Sequence, residues 1–368
     1  MKKNSKAGGI VGGLIILIVG IGLLGYNEGR TVKTAQAIGE AKKNYIQVKS
    51  DKVDSKNEGK LIATNGKVDL SESNELIDEI FGVKAKSAKL QRTVEMFQWT
   101  EECTTDENDH ENCTYKKEWK DELVDSSEFR EGGHTNPSSM PYESEEYLAD
   151  NVKVGSFTLT KELQSRLSTK KTIGNDLLKE QFANRVEGLR VDSKYLTNVA
   201  EGGTPEIGNI RVSFGYNDAD SLSILAVQTD NSFSAYVAKS GKEVYRIKEG
   251  THTGEVILKD MTDENNFMKW LLRFIGTLMV IGGIGSLFAP IQKLANYVPI
   301  LGGLVSYATG LVSFVLGLAI SLLVIALAWF RFRPVLSIIL IVIVVALIVA
   351  LKVMPKKDVK TKLDTKAE

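Results

Sequence analysis

Histidine is scarce in this chain of 368 residues: there are three, His110, His134 and His252. This scarcity limits the options for general acid–base catalysis, in which histidine is the side chain used most often. The sequence also contains no phosphate loop, nucleophile elbow, HExxH pair or Rossmann glycine pattern. It therefore gives no positive sign of the enzyme classes that these motifs mark.

Acidic residues are missing from both ends of the chain. None precedes Glu28 and none lies between Lys269 and Asp358, whereas residues 28–266 hold 43 acidic and 32 basic residues, a net charge of −11. A domain this acidic is a poor match for nucleic acid, so we expect no nucleic-acid partner. Lysines flank the ends, at positions 2, 3 and 6 and at 352, 356, 357 and 360. Lysine-rich flanks stay in the cytosol.

Charge is also missing from four long stretches. Uncharged runs of 21, 19, 37 and 18 residues lie at 7–27, 274–292, 294–330 and 334–351, and one membrane span needs about 20 apolar residues. We expect a cytosolic N-terminus at 1–7, transmembrane helices at 8–26, 268–290, 299–330 and 334–351, a cytosolic turn at 291–298, and a cytosolic basic tail at 352–368. Residues 27–267 then lie outside the cytosol.

Two features bear on this arrangement. The first run is longer than the apolar core of a signal peptide, so an uncleaved anchor is preferred to cleavage near Ala37. The segment 299–330 would be about 48 Å long as one helix, against a hydrocarbon core of about 30 Å. We expect it to tilt, to kink near Gly310, or to begin as a re-entrant segment.

Aromatic and basic residues with one proline mark the expected membrane borders: Trp270, Arg273, Trp329, Arg331, Arg333 and Pro334. Arg273 is expected to snorkel to the interface, and Arg331 and Arg333 argue mildly against the topology because it places them outside. Glycines are expected to let helices pack closely, namely Gly302, Gly303, Gly310 and Gly317. The spans lack acids and histidine, which disfavours proton-coupled transport. A pore lined by Ser306, Thr309, Ser313 and Ser321 is the alternative.

Cysteine occurs twice, as Cys103 and Cys113, on either side of an acidic loop. The flanking segments 92–99 and 115–123 alternate like strands, so the thiols face each other if those segments pair as a hairpin. Outside the cytosol we expect a disulfide. The alternative is a metal site that adds Asp106, Asp109 and His110, which matches no known ligand spacing.

The pattern of residues 27–267 predicts a β-rich α+β domain. Asn65-Gly66 predicts a hairpin over 59–70, and apolar residues at helical spacing predict an amphipathic helix over 72–83. From Gly208, five short segments separated by turn residues predict an antiparallel meander that ends with a strand at 254–259.

The segment GGHTNP at 132–137 contains His134, which is the strongest catalytic candidate among the three histidines. Glycine and an Asn-Pro pair predict a rigid structural turn made of Gly133, His134, Asn136 and Pro137. The alternative is a catalytic His134 that works with carboxylates nearby in sequence: Glu143, Glu145 and Glu146.

Seven segments in order along the chain resemble the transmembrane protein 43 family, also called LUMA. They are VEMFQW (94–99), GHTNPSSMP (133–141), VGSFTL (154–159), GNIRVSFGY (208–216), WLLRFIG (270–276), YVPILGGLV (297–305) and ALAWFRFRPVL (326–336). The resemblance implies four spans and a large non-cytosolic domain. For eukaryotic members it implies residence in the endoplasmic reticulum and inner nuclear membrane, self-association, and a link to lamin and emerin organisation. It supplies no catalytic residue, and the cysteine pair is a departure from it.

The function that we expect is a non-enzymatic, self-associating membrane scaffold. Its expected partners are membrane lipids, further copies of the chain and an unidentified protein, with no cofactor and no metal. The lysine-rich ends are typical of a bacterial member, which would lie in the cytoplasmic membrane. The alternatives are a membrane-tethered enzyme that uses the His134 turn and a channel-like oligomer.

Overall fold

The computed structural model describes residues 5–105, 111–295, 301–330 and 334–353. The chain divides into two compact units, which are treated separately below. The helical unit consists of Met1–Ile38, Lys239–Lys242 and Asp260–Glu368, and the β-rich unit consists of Gly39–Ala238 and Glu243–Lys259.

Six α-helices occur in the described residues: α1 Ser5–Asn44, α2 Lys161–Ser165, α3 Asn175–Phe182, α4 Gly254–Ala295, α5 Leu301–Trp329 and α6 Pro334–Val353. Three of them, α1, α4 and α5, are long and apolar enough to cross a membrane by length and composition. Helix α6 adds 20 residues that are apolar over most of their length. An isolated helix that is apolar on all sides needs lipid or other helices around it, because water cannot solvate such a surface favourably.

Eighteen strands are present in the same residues. They are β1 Ile46–Gln47, β2 Leu61–Asp69, β3 Leu76–Ile77, β4 Lys84–Ala85, β5 Lys89–Thr105, β6 Glu111–Lys120, β7 Glu145–Leu148, β8 Lys153–Val154, β9 Phe157–Thr158, β10 Lys171–Thr172, β11 Arg190–Asp192, β12 Tyr195–Thr197, β13 Ile210–Tyr216, β14 Ser221–Thr229, β15 Ser232–Ser234, β16 Tyr236–Val237, β17 Glu243–Val244 and β18 Arg246–Glu249. Membrane helices with a β-rich α+β domain between them were expected, and this fold class is confirmed.

The strands form two seven-stranded sheets and two small hairpins. The first sheet has the order β15-β14-β2-β8-β9, with β1 beside β2 and β18 beside β14. The second has the order β11-β12-β13-β5-β6, with β10 beside β13 and β7 beside β5. Both sheets contribute to one hydrophobic core, in which alternate residues of each strand point inward. Its members include Leu90, Val94, Met96, Val212, Phe214, Leu222 and Ile224.

The predicted hairpin at Asn65-Gly66 is wrong. Strand β2 passes straight through both residues and pairs with β14 from Leu61 to Lys67. Gly66 allows β2 to approach Ser50 closely and does not form a turn, because a Cβ there would lie 2.3 Å from the hydroxyl oxygen of Ser50. The side chain of Asn65 donates to the carbonyl oxygen of His252 at 2.9 Å. A long-range contact therefore outweighs the local turn preference.

The predicted helix over 72–83 is also wrong. Residues 76–77 and 84–85 pair as a short hairpin, and Asp78 shapes its turn by accepting hydrogen bonds from the backbone N–H groups of Ile80 and Phe81. The other carboxylate oxygen of Asp78 meets the guanidinium of Arg92 at 2.6 Å. Asp78 is fully buried. Burial of this ion pair fixes a conformation that helical spacing does not predict.

The predicted meander is wrong in two respects. Strands β13 and β14 follow each other in the chain but belong to different sheets, so residues 217–220 carry the chain from one sheet to the other. The last predicted strand, at 254–259, is the first part of α4. Both differences reflect packing partners that are distant in the sequence.

The buried Asp78–Arg92 pair generates a test of this fold. Replacing Asp78 with alanine leaves the Arg92 guanidinium buried without its main counter-ion, and we expect the domain to lose about 3–5 kcal/mol of stability. Glu145 also contacts Arg92, at 2.9 Å, but its side chain is 52% exposed. Glu145→Ala is therefore the matched control and should cost less than about 1 kcal/mol. Urea unfolding followed by tryptophan fluorescence in detergent measures both, and equal losses would contradict the assignment.

Candidate functional site

The longest hairpin of the β-rich unit extends beyond its own sheet. Strand β13 pairs with β5 no further than Met96, and β7 pairs with β5 at 89–92. Strand β6 continues the pairing from Met96 to Thr105. We call residues 99–105 and 111–117 the arm. Among the described strands, the arm has no partner other than its own two halves.

Asn136 ends the sheet pairing at the base of the arm. Its side-chain oxygen accepts from the backbone N–H of Trp99 at 2.7 Å, and its side-chain NH₂ donates to the carbonyl oxygen of Trp99 at 2.9 Å. One amide side chain thus occupies both backbone positions that a neighbouring strand would use. The predicted turn is in place around it: Gly133 has a φ of +95°, which favours glycine, and Pro137 lies against Gly208.

One face of the arm brings together the two cysteines and His134, which the sequence singled out. Trp99, Glu101 and Cys103 alternate along β5, and Lys117, Tyr115 and Cys113 lie directly opposite them on β6. Alternate residues of a strand point to the same side, so these six form what we call the arm face. His134 packs on it, and its ring stacks on Tyr115 with centroids 3.8 Å apart and meets Trp99 edge-on at 4.6 Å.

The stacked ring of His134 is held by aromatic packing. Its Nδ1 atom is buried and has no hydrogen-bond partner among the described residues. Two of the three carboxylates that were candidate partners bind other groups: Glu145 binds Arg92, and Glu146 binds Lys89 at 2.6 Å. His134 also interacts electrostatically with Glu101, although the hydrogen bonds to Glu101 have a larger effect on the pKa of that carboxyl. These contacts favour a packing role for His134.

Glu101 is the acidic residue of the arm face, and the sequence analysis did not single it out. The hydroxyl of Tyr115 and the backbone N–H of Arg130 both donate to its Oε1 at 2.6 Å. The hydrogen bond from Tyr115, followed by that from Arg130, lowers the pKa of Glu101. Burial and the same contact raise the pKa of Tyr115. Because the folded-state pKa of Glu101 is the lower one, these bonds stabilise the fold fully above the ordinary carboxyl range and are lost as pH falls through the lowered pKa.

Cys103 and Cys113 are bonded to each other at opposite positions of the arm. The alternative metal site with Asp106, Asp109 and His110 involves residues outside the described ranges. A bonded sulfur is not a thiolate, so the cysteines cannot coordinate a metal in this state. The alternation that placed the cysteines on one face also pointed to Glu101, two residues from Cys103, and this was the available signal.

The helical unit contains a second cluster, which we call the border cluster. Two guanidinium nitrogens of Arg273, Nε and Nη2, donate to the two carboxylate oxygens of Glu28 at 2.6 and 2.8 Å. The indole N–H of Trp329 donates to the same carboxylate. The guanidinium carbon also lies 4.9 Å from the ring centres of Trp270 and Trp329. Arg273 was expected to snorkel to the interface. It is 9% exposed, and its guanidinium binds Glu28, which is 1% exposed.

The structure describes fewer contacts for the remaining predicted border residues. Trp270 is 63% exposed on α4, Pro334 begins α6, and Arg331 and Arg333 lie outside the described residues. Beyond the cluster, polar contacts continue between α1 and α4. Asn27 donates to the carbonyl oxygen of Lys269 at 3.0 Å, and Asn265 donates to that of Thr31 at 3.1 Å.

Glycine lines the contact between α1 and α4. Gly13 approaches Gly283 and Gly20 approaches Gly276, so closely that an added Cβ on Gly20 would lie 3.1 Å from the carbonyl oxygen of Gly276. The two glycines on each helix are seven residues apart, about two helical turns. Small residues at this spacing allow close backbone contact. The sequence analysis named glycines of α5 and did not predict this glycine contact between α1 and α4.

The four glycines predicted on α5 behave differently from one another. Gly317 packs on Ile281 of α4, where a Cβ would lie 2.8 Å from the Cα atom. At Gly303 and Gly310 an added Cβ meets no described atom within 4 Å. The surroundings of Gly302 fall outside what the structure describes. Helix α5 therefore packs one glycine against α4, and no described residue covers the other two.

Comparisons with known proteins find one matching family model and several similar proteins. A family model described as transmembrane protein 43 matches residues 96–334. Transmembrane protein 43 of Rattus norvegicus is 28% identical over 360 residues, which cover 92% of this chain and 88% of the relative. The Homo sapiens protein is 28% identical over 358 residues, with the same coverage. The Drosophila melanogaster homolog is 26% identical over 341 residues, or 88% and 89% of the two chains. No solved structure matches.

The border cluster generates a test by paired substitution. Glu28→Ala leaves a buried guanidinium without its carboxylate and the Trp329 indole without its acceptor, so we expect a loss of about 3–5 kcal/mol. The double variant Glu28→Leu/Arg273→Met replaces the ion pair with apolar side chains and should recover most of that loss. Size-exclusion chromatography of the detergent-solubilised protein after heating measures the stability of each variant. A double variant no more stable than Glu28→Ala would contradict the pairing.

Proposed function

The chain belongs to the transmembrane protein 43 family, and from this premise we propose that it is a non-enzymatic, multi-pass membrane scaffold. In this proposal the chain self-associates through its membrane helices. The β-rich unit, held outside the cytosol, organises membrane lipids or a partner protein. In a bacterial cell the protein would lie in the cytoplasmic membrane; in a eukaryotic cell it would lie in the endoplasmic reticulum and inner nuclear membrane.

The border cluster supports the proposed orientation. Glu28 follows the first apolar run, Arg273 precedes the second, and Trp329 closes the third. These three positions meet at one level only if successive spans cross the membrane in opposite directions, because the first and third apolar runs then end at the level where the second begins. Lysines before the first run and after the last favour cytosolic termini. The segment between Glu28 and Arg273 then lies on the opposite side.

The observation that carries self-association is the pair Gly303 and Gly310, which no residue in the described part of the chain covers. These glycines are seven residues apart, the spacing that α1 and α4 use where they meet. Neighbouring side chains on α5 are also exposed, including Tyr307 at 75% and Phe314 at 53%. Within a bilayer, close contact through glycine is a principal source of helix association. We assign this face of α5 to contact with a second copy.

The arm supports a partner-binding role for the β-rich unit. Beyond Trp99, the outer edge of β5 pairs with no other described strand, so backbone groups there are available. Open strand edges are templates for pairing with another chain. The disulfide ties the two halves of the arm together, which lowers the ordering cost of a partner that binds it.

The two alternative functions gain less support. A catalytic base needs a ring nitrogen that can reach substrate, and burial of Nδ1 beside Tyr115 removes one of the two that His134 has. A pore lined by Ser313 and Ser321 needs these hydroxyls to face an opening. Both are buried inside the chain, and Ser313 donates to the carbonyl oxygen of Thr309 at 2.8 Å. Their contacts favour helix packing.

Self-association is tested by measuring the mass of the protein in lipid nanodiscs. We expect wild-type particles to contain a defined number of copies greater than one by mass photometry. Gly310→Leu should shift the distribution toward single copies, because the new side chain holds the two α5 helices apart.

Helix α1 supplies the matched control. Gly22 is likewise a membrane glycine whose added Cβ would meet no described atom within 4 Å, so Gly22→Leu should leave the distribution unchanged. A monomeric wild-type protein would overturn self-association. Equal effects of the two leucine variants would remove α5 as its site.

A further inference from the structure

Three atoms of the arm face lie in an arrangement that suits a metal ion once the disulfide is open. The sulfur atoms of Cys103 and Cys113 and a carboxylate oxygen of Glu101 are all within 4.8 Å of one another. The positions follow from strand geometry, because Glu101 and Cys103 are two residues apart on β5 and Cys113 is opposite Cys103 on β6.

We propose that the arm face is a redox-gated site for a thiophilic divalent cation of the zinc class, with Cys103, Cys113 and Glu101 as its protein ligands. Zinc accepts thiolate and carboxylate ligands in tetrahedral geometry. Three protein ligands leave its fourth position for water or a ligand from a partner. Magnesium and calcium prefer sites made of oxygen alone, so two thiolates select against them.

The gate is the disulfide, which a dithiol reductant opens. One thiolate of the reductant attacks a sulfur of the Cys103–Cys113 bond and forms a mixed disulfide, which releases the other cysteine. The second thiol of the reductant then attacks that mixed disulfide and leaves as a cyclic disulfide. Two electrons pass to the protein, and both cysteines become thiols. Metal binding displaces their two protons to solvent. The reverse exchange with a disulfide oxidant, which takes up the two electrons and becomes a dithiol, re-forms the Cys103–Cys113 bond and releases the metal.

Two features of the arm suit it to this role. Cys103 is exposed and Cys113 is partly exposed, so a soluble reductant can reach the bond. The cross-strand pairing runs from Met96 opposite Lys120 to Thr105 opposite Glu111. These backbone contacts do not depend on the sulfur–sulfur bond, and they hold the two cysteines opposite each other after reduction.

Glu101 is also positioned before any metal arrives. The hydroxyl of Tyr115 and the backbone N–H of Arg130 bind one carboxylate oxygen, Oε1, at 2.6 Å each. Outer contacts of this kind orient a ligating carboxylate and contribute strongly to metal affinity. The other oxygen, Oε2, accepts no hydrogen bond from the described residues, and in this proposal it coordinates the ion.

The test uses the full-length protein in nanodiscs, reduced with a phosphine that is then removed under anaerobic conditions. Equilibrium dialysis against Zn²⁺ should give one ion per chain more for the reduced protein than for the oxidised protein. Cobalt added in place of zinc should produce the absorption of a thiolate-to-metal charge transfer. The double variant Cys103→Ser/Cys113→Ser should bind no more than the oxidised protein does.

A pair of neighbouring glutamates separates a specific site from general attraction to an acidic surface. Glu101→Gln should weaken zinc binding by the reduced protein by at least about tenfold. Glu102 points to the opposite face and contacts Lys116 at 3.2 Å, so Glu102→Gln should leave the affinity unchanged. The proposal is overturned if reduced and oxidised protein bind equal amounts, if cobalt gives no charge-transfer absorption, or if the two glutamine variants behave alike.

Discussion

The pairing of Glu28 with Arg273 is the interaction on which the membrane part of this protein depends. Charged groups at the edge of the hydrocarbon core are costly unless they are paired, and both hydrogen bonds of the guanidinium fork are made here. The pair joins positions 245 residues apart. It therefore ties the first membrane helix to the last third of the chain, with the whole β-rich unit inserted between them in sequence.

Glycine and the ion pair have complementary roles along that contact. The hydrophobic effect does not drive helices together in lipid, so association requires close packing or polar contacts. Gly13 and Gly20 allow close packing along the span, and the border cluster supplies polar contacts at its end. The β-rich unit is stabilised differently, by a core that two sheets share and by one fully buried ion pair, Asp78 with Arg92.

The features that could be predicted from the sequence are those that depend on local composition or local register. Long uncharged runs predict membrane helices because each helix satisfies its own backbone hydrogen bonds. The cysteine hairpin was predictable because two alternating segments were close in the chain. The errors at Gly66 and Asp78 have a common cause: Ser50 and Arg92 decide those conformations, and both lie more than ten residues away. Glu28 looked like the end of an apolar run, and nothing near it in sequence indicates Arg273.

The same two cysteines offer a direct test of the orientation on which the account depends, because the chain has no others. Intact cells are treated with a membrane-impermeant maleimide, with and without prior exposure to an impermeant reductant, and labelling of the purified protein is measured. If the arm lies outside the cytosol with its disulfide formed, labelling should appear in intact cells only after reduction. Labelling that appears only after lysis, with or without reductant, would place the domain in the cytosol and contradict the account.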